Sequence, residues 1–273
     1  MKTVLFTGAT GGLGMLCVRA LSATGRWKVY ASGTNEAALN DLAALPNVTP
    51  LHMDITQQAS VNAALDTVRS QTDRLDAIAH FAGLSAFTPL VEGDSVEQIE
   101  RLLSVNVTGA ARVNRAFFEL IHKAGGRIVH CTSESGWMTP QPFAGPYVLS
   151  KYAMEAYNDS LRRELMFLNI PVIKIQPGSY ETKLTGQVSA GFDRTLASTR
   201  YFHDVLTKMK PMMAMELNQK NDPARLTRKV LRALEAKRPR IRYRVGTGKM
   251  LALLEFLPQK AIDRLYKVML KFF

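Results

Sequence analysis

Short apolar runs alternate along this chain with stretches of helical spacing, and that alternation restricts the fold more than any other feature. Residues 4–6, 28–31, 48–53, 77–81, 127–131 and 171–175 read as strands. Between them, apolar side chains recur every three or four positions over residues 13–22, from Asn35 through Ala38, Leu39 and Leu42, at Val61, Leu65 and Val68, and over 95–123 and 147–167. Strands separated by helices cannot pair as hairpins; the crossovers make them parallel and cover both sheet faces with helices. After a helix at 223–236, an alternating run at 240–245 adds a last strand. The spacing predicts an α/β fold, a doubly wound parallel sheet of about seven strands.

Composition excludes several other classes. Hydrophobic residues are 47% and charged residues 21%, the usage of a globular chain rather than a disordered one. No apolar run approaches the length of about 18 residues that a spanning helix needs. Two cysteines, Cys17 and Cys131, exclude a disulfide framework or a zinc finger and fit a reducing compartment. The short run before Gly8 is no signal peptide, so a cytoplasmic protein is expected. No repeat, low-complexity tract or Gly/Ser linker divides the 273 residues, and one domain over 1–273 is expected. Within it, residues 183–220 break the rhythm, with Met209, Met212, Met213 and Met215 around Pro211 and no strand.

The net charge of +12 is unevenly placed. Residues 1–193 hold 16 Lys and Arg against 17 Asp and Glu, whereas 194–273 hold 19 against 6. An acidic partner or surface for that last segment, or simply solvated helix faces, accounts for it.

Two motifs carry chemistry. Thr7-Gly8-Ala9-Thr10-Gly11-Gly12-Leu13-Gly14 lies between the first strand and the first helix. Glycines there permit a tight turn and let backbone N–H groups approach a pyrophosphate at the helix N-terminus. Further on, Tyr147 and Lys151 are four residues apart, hence on one helical face. A cation beside a phenol favours the phenolate, and such a tyrosine exchanges the proton of an alcohol/ketone pair. With eight tyrosines in the chain, that spacing alone means little.

Taken in order, these and further motifs resemble the short-chain dehydrogenase/reductase family over nearly the whole chain. The family's Thr-Gly-x3-Gly-x-Gly is residues 7–14, and its adenine-contacting Asp at the end of the third strand matches Asp54, followed by Ile55. Its Asn-Asn-Ala-Gly is His80-Phe81-Ala82-Gly83, a departure at two positions; its Asn-x-x-Gly is Asn106 to Gly109. The fifth-strand serine is Ser133, with Ser135 as competitor, the Tyr-x-x-Ser-Lys is Tyr147 to Lys151, and the Pro-Gly-x3-Thr is Pro177, Gly178 and Thr182.

The resemblance implies a Rossmann-type fold and an NAD(P)(H)-dependent oxidoreductase. Tyr147 would be general acid/base, Lys151 would favour its phenolate and hold the nicotinamide ribose, Ser133 would bind the substrate oxygen, and Asn106 would anchor a water linking Lys151 to solvent. The cofactor contacts implied are Gly8, Thr10, Gly11, Gly12, Leu13, Gly14, Asp54, Ile55, Ala82, Gly83, Tyr147, Lys151, Pro177, Gly178 and Thr182. His80 and His130 read as satisfied structural residues, though His80 replaces an asparagine that braces the sheet in the family. Glu134 either touches substrate or braces; Cys131 reads as a small buried residue. No cluster has metal-ligand spacing.

Cofactor choice turns on the end of the second strand, where no acid stands to hold a ribose diol before Glu36. Ser32, Thr34 and Asn35 can donate to a phosphate, which favours NADP(H) over NAD(H). The 183–220 segment resembles the lid of steroid- and retinoid-acting members, and its methionines suit a deformable apolar wall; a Met-rich core patch is the alternative. A lipophilic alcohol or ketone is therefore expected as substrate and no nucleic acid as partner. The competing readings are a 3-oxoacyl thioester reductase docking an acidic carrier or coenzyme A, and a non-catalytic dinucleotide-binding regulator. The helices over 106–123 and 147–167 are where the family forms homodimers and homotetramers, and Ala110, Ala111, Val113, Ala116 and Phe117 offer apolar surface there. In the tail, 246–273, Lys260, Arg264, Lys267 and Lys271 fall on one helical face and Ile262, Leu265, Met269 and Phe272 on another. That pattern suits peripheral membrane contact, or packing of the apolar face over the cleft or a partner subunit.

Overall fold

The computed structural model describes residues 1–180, 183–217 and 221–272, without the side chains of 183–184, 216–217, 249–251 and 269–272. Strands β1 (Lys2–Thr7), β2 (Trp27–Gly33), β3 (Val48–His52), β4 (Ala77–His80), β5 (Arg127–Cys131), β6 (Val172–Pro177) and β7 (Arg242–Val245) form one sheet in the order β3-β2-β1-β4-β5-β6-β7. Every neighbouring pair is parallel, as the crossover argument requires.

Alternation along each strand divides the interior into two cores. Val4, Phe6, Val29, Ala31, Ala77, Ala79, Ile173 and Ile175 point to the face covered by α1 (Gly12–Ala23) and α9 (Pro223–Glu235). Leu5, Tyr30, Ile78, Ile128 and Val172 point the other way, against α3 (Gln58–Arg69), α5 (Ala110–Ala124) and α6 (Gly145–Leu165). Burying one such side chain contributes roughly 1.5–3 kcal/mol, so a one-residue register slip is heavily disfavoured. Local signals set the helix limits. Asn35 caps α2 (Glu36–Ala43) by accepting from the Ala38 N–H, Asp222 caps α9 ahead of Pro223, and Gly125 ends α5 at φ +58°.

One segment departs from the sequence pattern. The single helix expected over 95–123 is α4 (Ser95–Leu103), a π-helical stretch Ser104–Gly109, and then α5. Residues 183–217 form two helices, α7 (Lys183–Ser198) and α8 (His203–Leu217), with Pro211 inside the second. The tail folds into α10 (Lys249–Leu254) and α11 (Gln259–Phe272), and α11 packs on α8 with Ile262 buried. No helix among the described residues is long and apolar enough to cross a membrane.

α6 is fastened to the sheet electrostatically. The buried Lys174 ammonium on β6 sits 2.8 Å from a Glu155 carboxylate oxygen and 2.8 Å from one of Asp159, both on α6. A charge taken out of water needs such partners, and meeting them fixes the helix that carries Tyr147 and Lys151.

Candidate active site

β1 pairs with β2 on one side and β4 on the other, so chain order reverses there and the loops leaving the two strands diverge. In open parallel sheets that crevice, beyond the carboxyl ends of the strands, is where ligands bind. A cavity of about 490 Å³ occupies it. Its walls come from the turn after β1, the end of β2, the segments after β4, β5 and β6, and the first turns of α6.

One end is built for an anion. Gly11 stands at the N-cap of α1 with no side-chain cap, no acidic residue lies in the first turn, and Thr10 to Gly14 face the cavity. The free N–H groups and the positive end of the helix dipole fit the pyrophosphate of a dinucleotide. The turn that presents them needs glycine. Gly8 has φ +69°, and a Cβ there would lie 2.3 Å from the Ala82 nitrogen; one at Gly14 would lie 2.1 Å from the Gly8 carbonyl oxygen. Thr34 and Asn35 line the same end, and Pro177 and Gly178 the wall opposite, so a nicotinamide dinucleotide fits the residues present.

Ser133, Tyr147 and Lys151 line the same cavity. Ser133 follows β5 in extended conformation, and its Oγ accepts the Ser135 N–H at 3.1 Å. Lys151, one helical turn after Tyr147, is buried; its Nζ lies 5.6 Å from the Tyr147 ring centroid and donates to the Cys131 carbonyl at 3.4 Å. A Cβ at Gly83 would lie 3.3 Å from Asn106 Oδ1, a tight contact, and 3.7 Å from Nζ, an ordinary one. A phenol, a hydroxyl and an ammonium around one void form a proton-transfer constellation. Burial pushes the Cys131 thiol up to about 11 despite the neighbouring lysine, so it is no nucleophile at neutral pH.

Asn106 does not line the cavity. Its Oδ1 accepts the Leu84 N–H at 2.8 Å, and its Nδ2 donates to the Leu84 carbonyl at 3.0 Å and to Ser150 Oγ at 2.9 Å. The π-helical stretch carries this side chain, which therefore clamps the segment after β4 to α6; π-bulges often mark functional sites. Five other expected contacts also lie off the wall. Gly8 and Ala82 stand behind the glycine turn, packed on each other. Ser32 points inward, its buried hydroxyl donating to the Phe6 carbonyl, so it is not at hand for a phosphate. Asp54 turns one carboxylate oxygen onto the Thr56 N–H and hydroxyl. Ile55 is buried against Gly109, its carbonyl held by Arg112 Nη1 at 2.6 Å. Thr182 lies outside the described residues.

Arg112 and the role of Ser150 escaped the sequence reading. Ser150 stands inside Tyr-x-x-Ser-Lys and was visible there; nothing local marks Arg112. Glu134 braces rather than facing freely inward: its Oε2 accepts the Gly248 N–H at 3.1 Å, although the residue also lines the cavity.

The far end is apolar. Leu84, Phe87, Met138, Val148, Val188 and Met213 line it. Met209 and Met213 pack with Phe87, Phe192 and Leu206 into a third small core, whereas Met215 is exposed. The methionines thus divide between lid core and surface, and Met213 belongs to both core and cavity wall.

Comparison with known proteins identifies the family and the fold. The family model for short chain dehydrogenase matches residues 2–192. Retinol dehydrogenase 16 of Homo sapiens is 30% identical over 96% of this chain and 86% of its own length. Among solved structures, a short chain dehydrogenase from Burkholderia cenocepacia in complex with NADP gives a TM-score of 0.74 at 23% identity, covering 97% of this chain and 99% of that one. The 3-ketoacyl-(acyl-carrier-protein) reductase from Brucella melitensis complexed with NADH gives 0.72 at 21%, covering 91% and 98%. The two structural likenesses speak for the fold.

Proposed function

Since the chain belongs to the short chain dehydrogenase family and is an NAD(P)-dependent oxidoreductase, we propose that it interconverts a lipophilic alcohol and its ketone or aldehyde, with Tyr147 as general acid/base. The observation that carries the reading is the single cavity joining the uncapped α1 N-terminus, the Ser133/Tyr147/Lys151 group and an apolar end closed by Met213. Thr10 to Gly14, Thr34, Asn35, Gly83, Lys151 and Gly178 would hold the cofactor, which when bound would supply or accept the hydride.

The chain's own residues handle the proton. Ser133 holds the substrate oxygen, Tyr147 gives or takes its proton, and the Lys151 ammonium stabilises the phenolate and binds the ribose hydroxyls. Asn106 positions Gly83, Leu84 and α6 around that group. Residues 183–217 act as a lid whose apolar side excludes water from the reacting carbon.

NADP(H) is the preferred cofactor in this reading, because no carboxylate lines the Thr34–Asn35 end among the described residues. Asn35 commits its oxygen to capping α2, which leaves its amide hydrogens for an acceptor. A homo-oligomer is proposed through α6, where Leu149 is exposed; Ala110, Val113 and Phe117 are taken up by the chain's own core and offer nothing to a partner.

A second reading, reduction of 3-oxoacyl thioesters, draws on the cationic segment 194–273, which suits an acidic carrier. A screen of retinoids, steroids, acyl thioesters and small ketones, followed by nicotinamide absorbance with each cofactor, separates the two. Turnover confined to small polar alcohols overturns the lipophilic reading, and thioester turnover abolished by high salt favours the second.

A further inference from the structure

At the corner between α10 and α11, large apolar side chains stand in solvent. Leu253 is 64% exposed, Phe256 84% and Leu257 45%. Beside them, α11 turns Ile262 inward onto α8 and leaves Lys260, Arg264 and Lys267 exposed. Spaced by four and three residues, these cations share one outward face, and Asp263 is the one acidic residue of the helix. Leu265 and Val268 flank that face, both exposed.

The corner is tied to the cavity. Gly248, at the N-cap of α10, donates its N–H to Glu134, and Glu255, which ends the helix, accepts the Thr139 N–H. Glu134 and Thr139 both line the cavity, so α10 is clamped to its rim at each end.

We propose that the α10–α11 corner is a docking surface for an anionic lipid bilayer, and that docking presents the cavity rim to the membrane from which an apolar alcohol or ketone is drawn. This rests on the lipophilic-substrate reading above. Apolar groups enter the boundary between headgroups and acyl chains while ammonium and guanidinium groups meet the phosphates. A second copy fits the same face poorly, because a symmetric contact sets cation against cation. A neutral apolar partner leaves the three cations without a role.

The test uses the full chain and sucrose-loaded vesicles of pure phosphatidylcholine or of phosphatidylcholine with about one-third phosphatidylserine. The expected result is co-sedimentation with the anionic vesicles at low salt, release at high salt, and little binding to the neutral ones. A Lys260→Gln/Arg264→Gln/Lys267→Gln variant should bind on the order of a hundredfold more weakly. Leu253→Ser/Phe256→Ser should also lose the vesicles. Both variants should keep wild-type turnover of a water-soluble ketone, which shows that they fold, and lose it at least tenfold for a ketone dissolved in the bilayer. Absence of vesicle binding by the wild type, or undiminished binding by the triple variant, overturns the proposal. A concentration-dependent dimer in sedimentation velocity that Leu253→Ser/Phe256→Ser abolishes reassigns the face to a second copy. Vesicle binding is read without turnover: a chain that binds vesicles but turns over no lipophilic ketone overturns the substrate reading and leaves the surface standing.

Discussion

His80 and His130 stack across β4 and β5, their ring centroids 4.8 Å apart and their planes 17° from parallel. The register pairs them directly, His80 with His130, and His130 in turn with Lys174. His80 Nε2 lies 2.7 Å from Asn114 Oδ1, Asn114 Nδ2 lies 3.2 Å from His130 Nε2, and the Asn158 amide lies 2.7 Å from His130 Nδ1. Asn114 also donates to the Tyr157 hydroxyl. This buried row ties α5 and α6 to the strands that lead into Gly83 and Ser133.

Burial brings His80 down to about 4 and holds His130 well below its ordinary value, in the latter with the neighbouring imidazole adding to the effect. The unfolded chain therefore takes up protons that the folded chain refuses. Stability is fully present above the unfolded value of 6.5 and is lost as pH falls from there toward about 4. For His80 alone the loss between pH 7 and pH 5 is about 2 kcal/mol. Urea midpoints over that range check it: the wild type should lose stability steeply on acidification, and His80→Asn, which keeps an amide facing Asn114, should lose less. Equal slopes sink the assignment.

Tyr147→Phe keeps the ring and removes the exchangeable proton. Turnover should fall at least about 100-fold, while cofactor affinity by fluorescence titration stays near the wild-type value. Lys151→Ala should damage both, because one ammonium faces the phenol and the ribose site. A Lys151 variant with intact cofactor affinity contradicts the ribose contact.

Asn106→Ala should leave the Leu84 N–H and carbonyl without their side-chain partner. Both bonds are part-buried, so each orphaned group costs toward the lower end of the about 1–3 kcal/mol that a fully buried one does. The melting temperature should drop, and amide exchange at Leu84 should rise more than at β1, since the loss is local. Uniform exchange across the sheet would show a general weakening instead of a lost clamp.

How much of this was open to the sequence follows from which interactions are local. Strand runs such as Val4–Phe6, buried on both faces, and the glycine turn after them are written in consecutive residues, as are Asn35 and Asp222 as caps. The π-helical stretch is not, because apolar spacing continues through Ser104–Gly109 as it would in an α-helix. Ser32 read as a phosphate donor because its side matters only once β2 is placed: strand alternation turns it inward. Apolar side chains on α5 looked surplus until the sheet took up Val113 and Phe117. The His80–His130 pair is beyond sequence reading altogether, since 49 intervening residues close only through sheet register.

Gly8 and Gly25 separate two costs that are usually confounded. Both have positive φ, +69° and +65°, where a side chain is strained by about 1 kcal/mol. At Gly25 a Cβ meets nothing within 4 Å, so Gly25→Ala should lower stability by that amount and leave cofactor affinity unchanged. At Gly8 a Cβ would lie 2.3 Å from the Ala82 nitrogen and 2.5 Å from the Phe81 carbonyl carbon, backbone atoms that cannot swing aside. Gly8→Ala must push the glycine turn away from the segment after β4, adding roughly 1–3 kcal/mol of overpacking to the strain. It should also weaken cofactor binding by more than tenfold, because the same turn presents the N–H groups of α1. Chemical denaturation and cofactor titration on the two variants test this together. If Gly8→Ala binds cofactor as well as Gly25→Ala does, the turn is not what shapes the dinucleotide site.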